Sequence, residues 1–360
     1  YIHIRTAKQP VEHSRFNESY MMQATTSPLY AIIAANEVGA AMMDGKQGES
    51  LTQEVINEAV DFRMALAKVH AAFSAQGEWF FSPWNAPDVV DVKTGKKIPF
   101  INASKEQLTT DPSCWVLRPG ESWHGFDQLD DDWCMLDPIK AGILAPGMGD
   151  DGKMLENGIP AAMVTAFLSQ HGIVHSRTTD FMVLCLFSVG VTKGKWGTLI
   201  NVLLEFKQHY DDNSPLTLCL PDLASSNAAR YAGMGLKDLC DEMFAYMKTS
   251  QMDKLQSEAF GKIPTPVKLP RAAFQDHMAG RCEHLTLDKL AGRVSAVGVI
   301  PYPPGIPIVM PGESFGAKND PWLSYIRSIA QWGEKFPGFE KELEGAEFKD
   351  GQYHIWVLKN

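Results

Sequence analysis

Residues able to do chemistry fall in a few places along this 360-residue chain. Thr25, Thr26 and Ser27 stand side by side, ahead of Pro28 and a run of small and apolar residues to position 43. Three hydroxyls and the free amides of a helix start make a nest for an anion such as a phosphate. Proline suits the first helical turn, where its missing N–H costs nothing. A plain N-cap accounts for the same residues equally well.

Other constellations are weaker. His171 and His175 in HGIVH have the spacing of two metal ligands on one helix face. Gly172 and the β-branched Ile173 and Val174 favour a turn into a strand instead, and no third ligand is near, so no metal is expected. Asp127, Asp130, Asp131 and Asp132 lack the glycine and terminal glutamate of a calcium loop and read as a solvated acidic face. GESWHGF at 120–126 is either a loop that presents a site or a packed aromatic loop. PYPPGIPIVMPGE at 301–313 is stiff, and serves as a strut or as a wall that aims Tyr302. No GxSxG, P-loop or GxGxxG occurs in a supporting context. No complete catalytic set is visible.

Mixed α/β elements must position these groups. Positions 44–48 read as a loop, followed by a helix capped by Ser50 with Gln53 three residues on. Val55, Ala59, Phe62, Leu66, Val69 and Phe73 form its apolar stripe, and this long helix is expected to cross between domains. Strands are expected at 139–145 and 181–189, the second buried on both faces because it is apolar throughout. Helices are expected at 159–170, 196–210, 235–248 and 253–260. Asp211, Asp212, Asn213, Ser214 and Pro215 form the best linker candidate. A last helix starts with Asp320 as N-cap and Pro321 behind it, and a strand closes the chain at 353–358.

Composition narrows the function classes. The net charge of −10 argues against a nucleic-acid partner. No apolar run approaches the roughly 20 residues that span a bilayer, so no membrane is expected. Six cysteines without a CxxC pair read as reduced thiols of a cytoplasmic protein, with Cys185 in the core. The chain opens on a strand-like YIHIR without a methionine and is read as a fragment, a processed chain or one half of a larger protein.

YMMQATTSPLY, WHGF, LDPIK, APGM, HGIV, PYPPGIP, PGE and FPGFE occur in an order that resembles the C-terminal half of the prokaryotic ornithine/lysine/arginine decarboxylases, which use pyridoxal phosphate. SRFN, LTQEVI, EAVDFR, PGESWHGF, SRTTDF and GKWGTL are most similar to the acid-inducible arginine decarboxylases of that family.

The resemblance implies an α/β fold, the C-terminal part of an aspartate-aminotransferase-type enzyme with an α+β C-terminal domain. Residues 1–45 would be the tail of the large cofactor domain, 46–214 a small α/β domain and 215–360 the C-terminal domain. It implies arginine decarboxylation to agmatine, a role in acid resistance, and a homodimer within a larger oligomer. Thr26 and Ser27, supported by Thr25, would reach the cofactor phosphate of a neighbouring subunit. Ser176, where lysine and ornithine relatives carry a glutamate, would leave room for a guanidinium. Asp180, Trp123 and His124 would meet that group, and Tyr302 would line the entrance. The family's Schiff-base lysine lies in a Ser-x-His-Lys motif that is absent here, and Lys8, Lys46 and Lys140 match no such position. No catalytic residue is therefore expected in this chain, which alone would be inactive and would need a lysine-bearing segment or partner. The alternatives are a non-catalytic partner that regulates an intact decarboxylase, or a lysine or ornithine decarboxylase.

Overall fold

A computed structural model describes residues 11–25, 27–130, 132–149 and 152–359. The expected opening strand, Lys8, Thr26 and Asp131 lie outside them. The chain forms two compact units, Tyr1–Glu54 and Val55–Asn360.

In the first unit, helix His13–Gln23 is capped by Glu12, whose carboxylate accepts the Ser14 and Arg15 amides. Helix Tyr30–Met42 follows, and neither helix buries a residue. Pro28 is not in its first turn. Leu29 is the N-cap, with extended φ −92° and ψ 99° and no side-chain cap. The ring of Pro28 disfavours a helical Ser27, which delays the helix past the hydroxyls.

Positions 44–48 are also not a loop. The helix Gly45–Ser74 begins there, so Ser50 sits inside it rather than at its cap. Glycine explains the early start. Gly45 has φ +58°, and a Cβ on Gly48 would lie 2.1 Å from the Met43 carbonyl oxygen. Only glycine lets the chain fold back so tightly into a new helix.

Within the second unit the apolar stripe of this helix is buried as its spacing requires. Ala59, Phe62 and Leu66 are fully closed, with Val55, Val69 and Phe73 packed beside them. They cover a four-stranded antiparallel sheet ordered β1 (Ser82–Trp84), β4 (Lys140–Leu144), β6 (Met182–Leu186), β5 (Arg177–Thr178). A small ribbon pairs β2 (Asp88–Val90) with β3 (Lys97–Pro99). Strand β6 is shorter than expected and is not buried on both faces. Val183 and Cys185 point into the core while Leu186 is exposed, because the core lies on one side of an antiparallel sheet.

Helices Ala161–Gln170 and Lys193–Asp211 pack on the core side, where Phe167, Leu203 and Phe206 are buried. The segment 211–215 is held in place. Leu216 donates its amide to Met234 and Leu236 to Ser214, and the apolar cluster runs on through Leu216, Leu239, Met243 and Trp332 to Phe339. Helices Leu236–Thr249 and Met252–Gly261 follow as the sequence suggests.

A second core gathers on helix Pro321–Lys335, with Leu323, Ile326 and Ile329 facing Val299, Val309 and Ile355. Asp320 occupies its N-cap position, but its carboxylate accepts the Ala317 amide rather than a helix amide. Strands β7 (Cys282–Thr286), β11 (Gln352–Leu358) and β10 (Ala346–Lys349) form an antiparallel sheet. Strands β8 (Ile300–Tyr302) and β9 (Glu342–Glu344) form a pair that sets Tyr302 opposite Glu342. All six cysteines are free thiols. No helix among the described residues is long and apolar enough to cross a membrane.

Candidate functional site

The connection around Thr25 follows from helix ends. Helix His13–Gln23 stops at the extended Ala24, and Ser27 donates its amide to Thr25 Oγ1 at 3.2 Å. Both residues are exposed. The next helix brings no side-chain cap to its amino end. Exposed hydroxyls such as those of Thr25 and Ser27 are donors of the kind that would suit an oxyanion.

In the second unit the residues expected at a substrate site separate into two places. Asp180 and Tyr302 share the wall of a cavity of about 290 Å³. Two backbone contacts pin the turn between β5 and β6, since Ala161 donates to the Asp180 carbonyl and Ala145 to that of Phe181. Lys341, one residue ahead of β9, donates Nζ to Asp180 Oδ1 at 2.5 Å. Asp180 is therefore already paired and is not a free carboxylate for a guanidinium. The Lys341 ammonium also lies 5.8 Å from the Trp332 ring centre. Trp332 holds the loop beyond it by donating Nε1 to the Phe339 carbonyl at 2.7 Å.

Tyr302 stands at the rim, 41% exposed. Gly305, at φ +79°, lies under its ring, and a Cβ there would come 2.6 Å from Cε1. Arg177 ties β5 to the same loop through the Pro304 carbonyl, 2.9 Å away. The proline-rich stretch is thus a wall that places Tyr302, while Ile308 and Val309 behind it are core.

Trp123 and His124 do not line this cavity. The Phe126 amide donates to His124 Nδ1 at 3.0 Å, and His124 Nε2 lies 3.0 Å from the Arg118 carbonyl. A carbonyl only accepts, so Nε2 is the donor there and both ring nitrogens are engaged. Trp123 meets Trp84 edge to face and donates Nε1 to Glu121. The loop is a packed aromatic one. Ser176 is exposed beside β5, with its amide on the Leu184 carbonyl, and it too lies outside the cavity lining.

His171 ends helix Ala161–Gln170, and Gly172 turns the chain at φ +70° toward β5, so the two histidines do not share a helix face. No group of three potential metal ligands occurs among the described residues.

Arg63 is a structural residue that the sequence patterns do not single out. It is fully buried and donates to the carbonyls of Trp84, Pro138 and Lys140 at 2.8, 3.1 and 2.8 Å. Burial pushes its pKa down to about 9, against the pull of Asp137. A charged residue next to the apolar Phe62 in a helix stripe is the signal that could reveal it.

Comparison with known proteins brings these observations together. Residues 1–195 match the family described as Orn/Lys/Arg decarboxylase, major domain, and residues 253–359 match Orn/Lys/Arg decarboxylase, C-terminal domain. The chain is 53% identical to the biodegradative arginine decarboxylase of Escherichia coli K12 over 359 residues, covering 100% of this chain and 48% of that protein. It is 39% identical to the lysine decarboxylase LdcA of Pseudomonas aeruginosa, covering 97% and 45%. Among solved structures, lysine decarboxylase A from Pseudomonas aeruginosa superposes with a TM-score of 0.87 at 38% identity, over 98% of this chain and 45% of that one. The chain spans about half the length of the curated relatives it matches.

Proposed function

Because the chain belongs to the ornithine/lysine/arginine decarboxylase family, we propose that it is part of a pyridoxal-phosphate enzyme that converts arginine to agmatine and CO2. The observation that carries this reading is the step in identity between the arginine decarboxylase and the lysine decarboxylases. Ser176 supports it, since a small hydroxyl leaves space for a guanidinium where a carboxylate would fill it.

Bound pyridoxal phosphate supplies an electron sink for the pair left behind when the carboxylate departs. This chain's own residues bind and orient. The Thr25 and Ser27 hydroxyls would hold the phosphate, with Thr26 between them in sequence. Each such bond to a charged group is worth about 1.5–3 kcal/mol. Ser176 admits the substrate's side chain, and Tyr302 restricts the approach from the proline-rich wall. Trp123 and His124 order their own loop, 120–126. Asp180 organises the wall through Lys341.

The family's Ser-x-His-Lys motif has no match in these 360 residues. The activity is therefore proposed for this chain acting with a lysine-bearing segment, and the isolated chain is proposed to be inactive. A homodimer assembling further, in the cytoplasm, completes the reading. Decarboxylation consumes a proton, which suits a role in acid resistance.

The test is stoichiometry on the assembled protein with pyridoxal phosphate. Equimolar agmatine and CO2 from arginine support the reading. Consumption of arginine without CO2 refutes it.

A further inference from the structure

Asn157 is the one asparagine in the chain that a glycine follows. It is exposed, on a bend between β4 and helix Ala161–Gln170. Neither its side chain nor the Gly158 amide makes a hydrogen bond among the described residues. An asparagine carboxamide can close onto the next backbone nitrogen to form a cyclic imide. A side chain on that next residue hinders the approach, and glycine has none.

Other asparagines are held. Asn213 is also exposed, but its Oδ1 accepts the Lys237 amide at 3.0 Å, and the Ser214 amide is bonded to the His209 carbonyl at 2.9 Å. The Ala103 amide after Asn102 is bonded to the Phe100 carbonyl at 3.1 Å. A bonded amide must be released before it can attack, which costs free energy.

Packing fixes Gly158 as glycine for a second reason. A Cβ there would lie 2.3 Å from Phe244 Cε2 and 2.5 Å from Gly147 Cα. The contact with Phe244 thus requires the same residue that leaves Asn157 unprotected. Two hydrogen bonds anchor the loop on either side of Asn157. Leu155 donates its amide to the Gly147 carbonyl at 2.8 Å, and Ile159 donates to that of Pro146 at 2.7 Å. The Phe244 ring in turn meets Phe181, next to Asp180, edge to face.

We propose that Asn157 is a site of spontaneous deamidation, and that its isoaspartate product loosens this loop from Phe244. The Gly158 nitrogen bonds to Asn157 Cγ, the Cγ–Nδ2 bond breaks, and ammonia leaves with the proton of the Gly158 amide. Water then opens the cyclic imide at either carbonyl and gives aspartate or isoaspartate. The step needs no oxidant and no cofactor. Isoaspartate adds a methylene to the main chain between the two anchored amides, so an anchor must lengthen. The inference holds whatever reaction the protein performs.

Peptide mapping after the protein is aged in heavy-oxygen water near pH 8 tests this. Label should enter residue 157 at least about tenfold faster than Asn102 or Asn213. Asn157→Gln should lose that label, because its larger ring closes more slowly. Amide hydrogen exchange at Ile159 should rise at least about tenfold in the aged protein, but not in Asn157→Asp, which gains the carboxylate without the extra methylene. Label at 157 no faster than at Asn213, unchanged exchange at Ile159 in the labelled protein, or an equal rise in Asn157→Asp would each overturn the proposal.

Discussion

Lys341 and Asp180 are 161 residues apart in the chain, yet Nζ lies 2.5 Å from Oδ1, and the two side chains are only 13% and 12% exposed. The pair joins the turn after β5 to the strand pair that carries Tyr302. Lys341→Met would strand a carboxylate in a largely closed place and should cost about 3 kcal/mol in denaturant unfolding. Asp180→Asn combined with Lys341→Met should recover most of that loss, since no charge is left unpaired. Additive losses in the double variant would contradict the coupling.

Arg63 makes a second prediction. Its guanidinium satisfies three carbonyls from two separate segments, that of Trp84 and those of Pro138 and Lys140. Arg63→Met keeps much of the volume and removes every donor. Unfolding should become easier by about 3 kcal/mol or more, with an unchanged denaturant slope. A loss under about 1 kcal/mol would mean that water replaces the guanidinium.

Acid stability follows from Glu242. Burial raises its pKa, but two contacts at 2.8 Å from Arg230 and one at 3.2 Å from Lys335 outweigh this, and the net shift is downward. A carboxylate depressed in the folded state stabilises above its unfolded pKa of about 4.3, and that stability is lost as pH falls through the folded value. Glu242→Gln should lower the unfolding midpoint at pH 7, and the difference from the parent should close as pH falls below the unfolded value. A difference independent of pH would rule out the charge as its origin.

Burial also governs thiol chemistry. Desolvation pushes Cys185 up to about 12 and Cys219 to about 11, and raises Cys114 and Cys240 as well. Cys134 is the one cysteine that is partly exposed. Alkylation of the native protein near pH 8 should mark Cys134 first, with the four raised thiols reacting only after unfolding. Early labelling of Cys185 or Cys240 would show that the core opens.

Periodic features are legible in the amino-acid sequence itself. The stripe from Val55 to Phe73 and the helices at 161–170 and 193–211 follow from spacing, because burial selects residues at helical intervals. Boundaries set by backbone shape are less so. Gly45 and Gly48 look like loop residues, yet they allow a helix to start immediately, and Pro28 looks like a helix start but delays one. The apolar run around Phe181–Val189 reads as doubly buried because composition cannot reveal that helices cover only one face. For the site, Tyr302 and Asp180 line one cavity, and the engagement of Asp180 by Lys341 depends on a pairing across 161 residues that no local pattern encodes. His124 reads in the sequence as a candidate to meet a guanidinium, and only three-dimensional contacts show both its nitrogens committed.

Specificity offers the most direct test of the arginine reading. In the assembled protein supplied with pyridoxal phosphate, kcat/KM should be highest for arginine, and Ser176→Glu should lower it for arginine while raising it for lysine. A parent protein that prefers lysine or ornithine, or a Ser176→Glu variant with unchanged preference, would contradict the account.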